Sequence, residues 1–393
     1  MIFLGLASNY RAKSILKHTF ALGRKKDYLA LERELSNRYR APLENTSLIY
    51  SGRSAISVAL KSFILSGKIE KGDFVAVNAF TCFAVIEAIK NAELVPVYVD
   101  LEKTESGEIL PNYSAASLEA LKKKNEKLKV FILQNTFGLP VNIESFLKVK
   151  EKYHLLLLED LAHSVGRFYE TSSGEKIEIG TVGDATCLSF GKGKAIDTIL
   201  GGAVILRNPD LSLAKIVKKS LLLKTPVSDS LRAAAYPLLA AIARGFAHLH
   251  LEKYWLGLLL KLKWIERSAD TKLRELHTIT PWQAKLALSQ LTDPKLPTIP
   301  LREYYLVKDR EIALEELESH GIRLEESWYE VPVSPRRYFN SLNFPTEACP
   351  NATFFAAHIL NLPTWYHSSD KKHQSELALA KRILKKHLLK PEN

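Results

Sequence analysis

The sequence predicts an α/β fold: a mainly parallel central sheet flanked by helices on both faces. Three observations carry the prediction. Short runs that are apolar at nearly every position alternate with helical stretches, which is how strands buried on both faces read. Asp160, Phe80–Phe83 and Lys194 fall just beyond such runs, at the carboxyl ends where these sheets bind ligands. The chain has 393 residues, 46% apolar and 25% charged, enough for two domains with sizeable cores.

In chain order, residues 26–40 carry Tyr28, Leu29, Leu31 and Leu35 among charges and predict an amphipathic helix. Leu48–Tyr50 is a short strand candidate. It leads through Ser51-Gly52-Arg53-Ser54 into a helical pattern over Ala55–Leu65. Strand, glycine turn and helix, with hydroxyls at the helix start, suit an anion such as phosphate; a plain N-cap would use the same residues. Asp73–Val77 and Leu94–Val99 predict strands on either side of a helix from Phe83 to Asn91. Val130–Gln134 predicts another strand, Ile143–Tyr153 a helix, and the leucine run His154–Glu159 a further strand ending at Asp160. Ala185–Phe190 and Ala203–Leu206 flank a turn holding Gly191, Lys192, Gly193, Lys194, Gly201 and Gly202.

Residues 229–265 differ in texture, being rich in Ala, Leu, Tyr and Trp with scattered Arg and Lys. No uncharged run reaches the roughly 18 residues of a membrane span. Core or dimer-interface helices are expected, with a membrane-surface helix as the alternative. Beyond Thr280, helices are expected over Trp282–Gln290, Tyr305–His320, Thr353–Leu360 and Asp370–His387. Asp293–Pro300 is proline-rich and Ser327–Cys349 irregular. The division expected is a large domain, 1–269, and a smaller C-terminal α+β domain, 270–393.

The net charge of +12 suits nucleic acid, an anionic membrane surface or a phosphate-bearing small substrate. No zinc-finger spacing, aromatic RNA-binding signature or long basic tract supports nucleic acid. Cys82, Cys187 and Cys349 are far apart and make neither a disulfide framework nor a metal pair, so a reducing, cytoplasmic setting and no metal are expected. Met1–Leu6 is apolar but has no basic stretch before it and reads poorly as a signal peptide.

One cofactor, pyridoxal 5'-phosphate, draws the candidate residues into one set. An aldehyde needs an amine, and a lysine beside apolar strands loses solvation and has more of its neutral, nucleophilic form. Lys194 supplies it, with Lys192 nearby. The ring nitrogen needs a carboxylate to hold its proton, as Asp160 can. The phosphate needs hydroxyls and N–H groups, from Ser189 and the helix start at Gly52, Arg53 and Ser54. The ring needs apolar faces: Ala162, two residues after Asp160, and Phe80 or Phe83 opposite. His163 is placed to bond the ring's phenolic oxygen, or is simply a satisfied semi-buried histidine.

These motifs resemble the DegT/DnrJ/EryC1/StrS family of sugar aminotransferases, from about residue 30 to 215 and more weakly from 270 to 380. Ser51-Gly52-Arg53-Ser54-Ala55 is similar to its phosphate turn, Gly72-Asp73 through Asp100 to its early strand block, and Glu159-Asp160-Leu161-Ala162-His163 to its "EDAAQ" run. Phe137-Gly138, Gly180–Asp184, Ala348-Cys349-Pro350 and Leu360–Pro363 match further blocks. Ser189-Phe190-x-x-x-Lys194 is similar to its lysine motif, and that spacing selects Lys194 over Lys192. The resemblance implies the type I fold of pyridoxal-phosphate-dependent transferases. It also implies a homodimer with sites at the subunit interface, and transfer of an amino group from glutamate to a keto sugar on a nucleotide diphosphate. Lys194 would then be both Schiff-base amine and proton carrier.

Departures from the pattern are informative. Cys82 stands where an aromatic is usual, leaving stacking to Phe83, and His163 stands where glutamine is common. Leu276-His277-Thr278 replaces the Asn-Tyr-Arg segment that reaches a partner's phosphate. Arg53 replaces a threonine, and its guanidinium is expected to supply the missing phosphate charge. Pro332-Val333-Ser334 lacks the histidine often seen in the sugar pocket. Two other readings compete: a related lyase, against which Lys194 argues, and a cofactor-binding regulatory or inactive paralogue acting through protein or membrane contacts.

Overall fold

A computed structural model describes residues 2–4, 22–213, 222–247, 249, 251–267, 270–293, 296, 300–324, 328–364 and 371–389. Met1, Gly5–Leu6, most of the proline-rich stretch after Asp293, Ser327 and Asp370 lie outside them.

Seven strands make the central sheet: β1 (Thr46–Ile49), β2 (Phe74–Asn78), β3 (Val95–Val99), β4 (Leu128–Leu133), β5 (Leu156–Asp160), β6 (Ala185–Ser189) and β7 (Gly202–Leu206). Their order is β1-β7-β6-β5-β4-β2-β3. All run parallel except β7, which is antiparallel to both neighbours. Alternate residues serve opposite faces, as the two-residue strand period requires. Ala76, Phe131, Leu133, Leu157 and Ile205 join one apolar cluster, while Val75, Val77, Val130, Ile132, Leu158 and Val204 join the other. Every one of these side chains is buried, which is why the strands read as unbroken apolar runs.

The first cluster is covered by α1 (Lys25–Arg38), α4 (Ala115–Lys124), α5 (Ile143–Tyr153) and α8 (Pro281–Leu291), through residues such as Leu35, Leu118, Phe146 and Ala287. The second is covered by α2 (Gly52–Leu65) and α3 (Phe83–Asn91), through Ile56, Phe63, Ile86 and Ile89. Both faces are therefore closed, as expected. Two helices occupy the unusual stretch: α6 (Val227–Ala247), with Pro237 inside it, and α7 (Glu252–Lys261). No helix among the described residues is long and apolar enough to cross a membrane.

Three expectations about elements need correction. Tyr305 does not begin a helix: Arg302–Leu306 is a strand, β8, and α9 (Arg310–Ser319) starts after Asp309, whose carboxylate accepts the N–H groups of Glu311 and Ile312. The helix expected over Thr353–Leu360 starts earlier, as α10 (Pro350–His358), and gives way to β9 (Ile359–Pro363), antiparallel to β8. His154 is not in a strand but caps α5 in a left-handed conformation, φ 52°. Helix α4 was not anticipated. The last helix, α11 (Lys371–Lys386), lies where expected; it packs with β8, α9 and β9 in a separate cluster containing Tyr305, Leu317, Leu360, Leu362 and Leu384.

Candidate active site

Asp160 ends β5, and Ser189 ends the neighbouring β6. Glu159, beside Asp160, is fully buried and fixes this strand end. Its carboxylate accepts N–H bonds from Gly180, Val182 and Gly183 at 2.8, 3.0 and 2.6 Å and pairs with Arg207 at 3.3 Å. Alternation along the strand then sends Asp160 the other way. Its carboxylate is buried, and among the described residues its one hydrogen bond comes from the Ala162 N–H at 3.0 Å. Burial raises the Asp160 pKa; the Ala162 N–H and the positive charge of Lys194 act the other way.

Lys194 also acts on His163. Burial first, then the charges of Lys194 and Arg302, push the imidazole pKa well below its usual value, so it is neutral. Nδ1 accepts the N–H of Phe137 at 3.1 Å, which leaves Nε2 protonated and donating to Tyr329 Oη at 3.2 Å. Both ring nitrogens thus have partners within the chain. The ring is oriented by the protein, the satisfied arrangement weighed above, rather than held out for a ligand oxygen.

At the phosphate turn, α2 begins at Gly52 and not at Ala55. Ser51 is its N-cap, with its hydroxyl accepting the Ser54 N–H at 3.2 Å. Ser54 is fully buried, and its hydroxyl accepts the Arg274 N–H at 3.0 Å and bonds Ser51. It is a structural hydroxyl here. Gly52 touches Ser189: a Cβ on Gly52 would stand 2.7 Å from the Ser189 Cβ. The glycine thus lets the helix start sit directly on the end of β6, with the first-turn N–H groups of α2 and the Ser189 hydroxyl in one neighbourhood.

Two expected contacts are redirected. The Arg53 guanidinium is engaged by the Glu87 carboxylate and, at 2.7 Å, by the Thr271 carbonyl, so its charge is spent there and not offered to a phosphate. Phe83 stacks on Tyr338, with centroids 4.3 Å apart and planes 7° from parallel, and Phe80 is fully buried against Tyr329 and Phe355. The substituted segment Leu276-His277-Thr278 forms a short pairing with Leu223–Lys224, and the Thr278 hydroxyl bonds Tyr28.

Sequence reasoning missed the contribution of the C-terminal region. The Lys194 ammonium lies 4.5 Å from the centre of the Trp328 ring, and the Arg302 guanidinium 3.8 Å from it. Asn361 fixes both, bonding the Trp328 backbone on each side (3.3 and 3.0 Å) and accepting from Arg302 at 3.0 Å. The signal was present, since Trp328-Tyr329 is an aromatic pair in an otherwise irregular stretch, but nothing local tied it to Lys194.

Among the described residues the buried Asp160 carboxylate has no side-chain hydrogen-bond partner, and the Lys194 ammonium and the His163 ring, three residues on from Asp160, both lie against Trp328, at 4.5 and 5.0 Å; a carboxylate and an amine so placed suit the two ends of a pyridine aldehyde. A glycine that a Cβ would push off Ser189 fits a close phosphate approach. The residues present therefore fit pyridoxal 5'-phosphate.

The profile of the DegT/DnrJ/EryC1/StrS aminotransferase family matches residues 9–223, more than half of the chain. The chain belongs to this family. A GDP-perosamine synthase from Vibrio cholerae is 30% identical over 177 residues, covering 45% of this chain and 43% of that protein. A dTDP-4-dehydro-2,6-dideoxy-D-glucose 3-dehydratase from Saccharopolyspora spinosa is 28% identical over 180 residues, 45% of this chain and 36% of that one. This family member thus matches about two fifths of the length of those relatives. The similarity extends through the fold: the Helicobacter pylori aminotransferase involved in the biosynthesis of pseudoaminic acid superposes with a TM-score of 0.58 at 16% identity, over 95% of this chain and 96% of that one. The type I transferase fold expected from the motifs is therefore the fold found.

Proposed function

We propose that this chain is a pyridoxal 5'-phosphate-dependent aminotransferase that moves an amino group from glutamate to the keto group of a sugar carried on a nucleotide diphosphate. The observation that carries the reading is the buried Asp160 carboxylate at the end of β5, held by the Ala162 N–H, with Lys194 and His163 both against the Trp328 ring. When bound, the cofactor supplies an electron-withdrawing ring that stabilises negative charge on the substrate carbon. Asp160, held by Ala162, would keep the ring nitrogen protonated. Ser189 and the helix start at Gly52 would hold the phosphate. Lys194 Nζ would carry the aldehyde carbon and move the proton between substrate and cofactor carbons. Neutral His163 adds no cation beside it, while Trp328 and Arg302 shape the approach to it.

Relatives named as synthases and dehydratases of nucleotide-linked sugars support the substrate class, and the basic surplus suits a diphosphate. A homodimer in the cytoplasm and the division at 269/270 belong to the same proposal. The separate cluster around Tyr305 and Leu384 supports that division, although α8 packs on the large sheet. The competing reading is a cofactor-binding regulator. It is favoured by Arg53 being engaged with Glu87 and by Thr278 at the usual arginine position.

Glutamate added to protein loaded with the cofactor should abolish its visible absorbance, and Lys194→Ala should lack the wild-type band. A wild-type band that glutamate leaves unchanged would favour the regulator. No band at all would contradict both readings.

A further inference from the structure

Helices α6 and α7 pack against each other. Ala233, Ala240 and Ala243 on the inner side of α6 form a small cluster with Ile199, and Trp255 and Leu256 of α7 pack against it. Among the described residues nothing covers the large apolar side chains on the outer faces of the two helices. Leu231, Leu238 and Ile242 recur at helical spacing on α6, as do Tyr254 and Leu258 on α7, with Leu262 at its C-cap. These six side chains are between 37% and 78% exposed, and Trp264 beyond α7 is 47% exposed. A monomeric soluble surface rarely concentrates large apolar groups in this way.

Charge decides what such a face would meet. Within residues 227–265 there are two carboxylates, Asp229 and Glu252, and both are buried. Asp229 accepts from Tyr50 at 2.9 Å, and Glu252 pairs with Arg323. Lys253, Lys261 and Lys263 are exposed. The charge these helices show to solvent is therefore positive. A second copy docked through the same face would set its lysines against identical lysines. An anionic lipid surface would accept the apolar side chains and the lysines together, with Trp264 and Tyr254 suited to the headgroup level. We propose that α6 and α7 dock the protein on anionic membrane surfaces, lying in the interface without crossing it.

The test is co-sedimentation of the full chain with phosphatidylcholine vesicles, with and without phosphatidylglycerol. The wild type should bind the anionic vesicles, bind pure phosphatidylcholine far more weakly, and come off as salt is raised. Lys253→Gln, Lys261→Gln and Lys263→Gln should each weaken binding about fivefold, from about 1 kcal/mol per charge at the surface. Leu238→Glu with Leu258→Glu should abolish binding while leaving the unfolding transition in place, since both side chains are already exposed. Equal binding to both vesicle types, or binding to neither, would overturn the proposal. A wild-type oligomer that dissociates in the double leucine variant without any vesicle binding would also overturn it, and would assign the face to a second copy.

Discussion

Asp160 is costly to keep charged where it sits, because burial outweighs the help of the Ala162 N–H and of Lys194. Removing its charge while keeping its shape separates chemistry from folding. Asp160→Asn should retain the cofactor but lower turnover on the order of a hundredfold, measured in single-turnover amino transfer. His163 gives a prediction in pH. Its folded pKa lies well below its unfolded value of about 6.5, so below that pH the unfolded chain binds more protons. The contribution of His163 to stability is complete above about 6.5 and is lost as pH falls toward the folded pKa. Wild type should therefore lose stability on acidification relative to His163→Gln, by up to about 1.4 kcal/mol per pH unit, followed by urea unfolding across pH. At Gly52 the argument is steric. Gly52→Ala should cost about 1–3 kcal/mol and weaken cofactor binding, and adding Ser189→Gly should recover part of the stability in thermal unfolding. The residue types at Gly52, Asp160, Ser189 and Lys194 were legible because each has a chemical task. The directions taken by Arg53 and Phe83 were not, because Glu87 and Tyr338 that capture them come from other parts of the chain.

The paired ends of β5 and β6 do the positioning, and Glu159 is what holds the first of them. Three backbone N–H groups of the 180–183 turn converge on that carboxylate, and Arg207 from the end of β7 completes it. Glu159→Ala would leave the Arg207 guanidinium buried without its ion-pair partner. It should lower stability by about 3 kcal/mol and disturb cofactor binding through Asp160 next door, read by urea unfolding and by cofactor titration. Elements buried on both faces were legible from their apolar runs, within two residues at most ends. The failures occur where strand and helix meet without a break in hydrophobicity. Tyr304-Tyr305-Leu306 continues into α9 with only Asp309 to mark the start, and α10 runs into Ile359 with no glycine between them. In both places β8 and β9 choose the strand state by pairing with each other, a long-range contact that local pattern does not contain.

At the scale of the molecule, the sheet brings the ends of β5, β6 and α2 together, and the C-terminal region closes over them with Trp328, Tyr329 and Arg302. The parallel order was legible because strands alternate with helices. The closing region was not, since its aromatic pair reaches Lys194 only through the pairing of β8 and β9 and through Asn361. The apolar, basic texture of 229–265 was visible at once. What it lacked was the direction of each face, which the burial of Asp229 and Glu252 supplies. The central claim is that one amine, Lys194, bonds the cofactor. Borohydride reduction of the loaded protein, followed by peptide mapping, tests it most directly. The cofactor mass should appear on the peptide carrying Lys194 and at that residue. Its attachment to Lys192 instead, or to no lysine, would contradict the account.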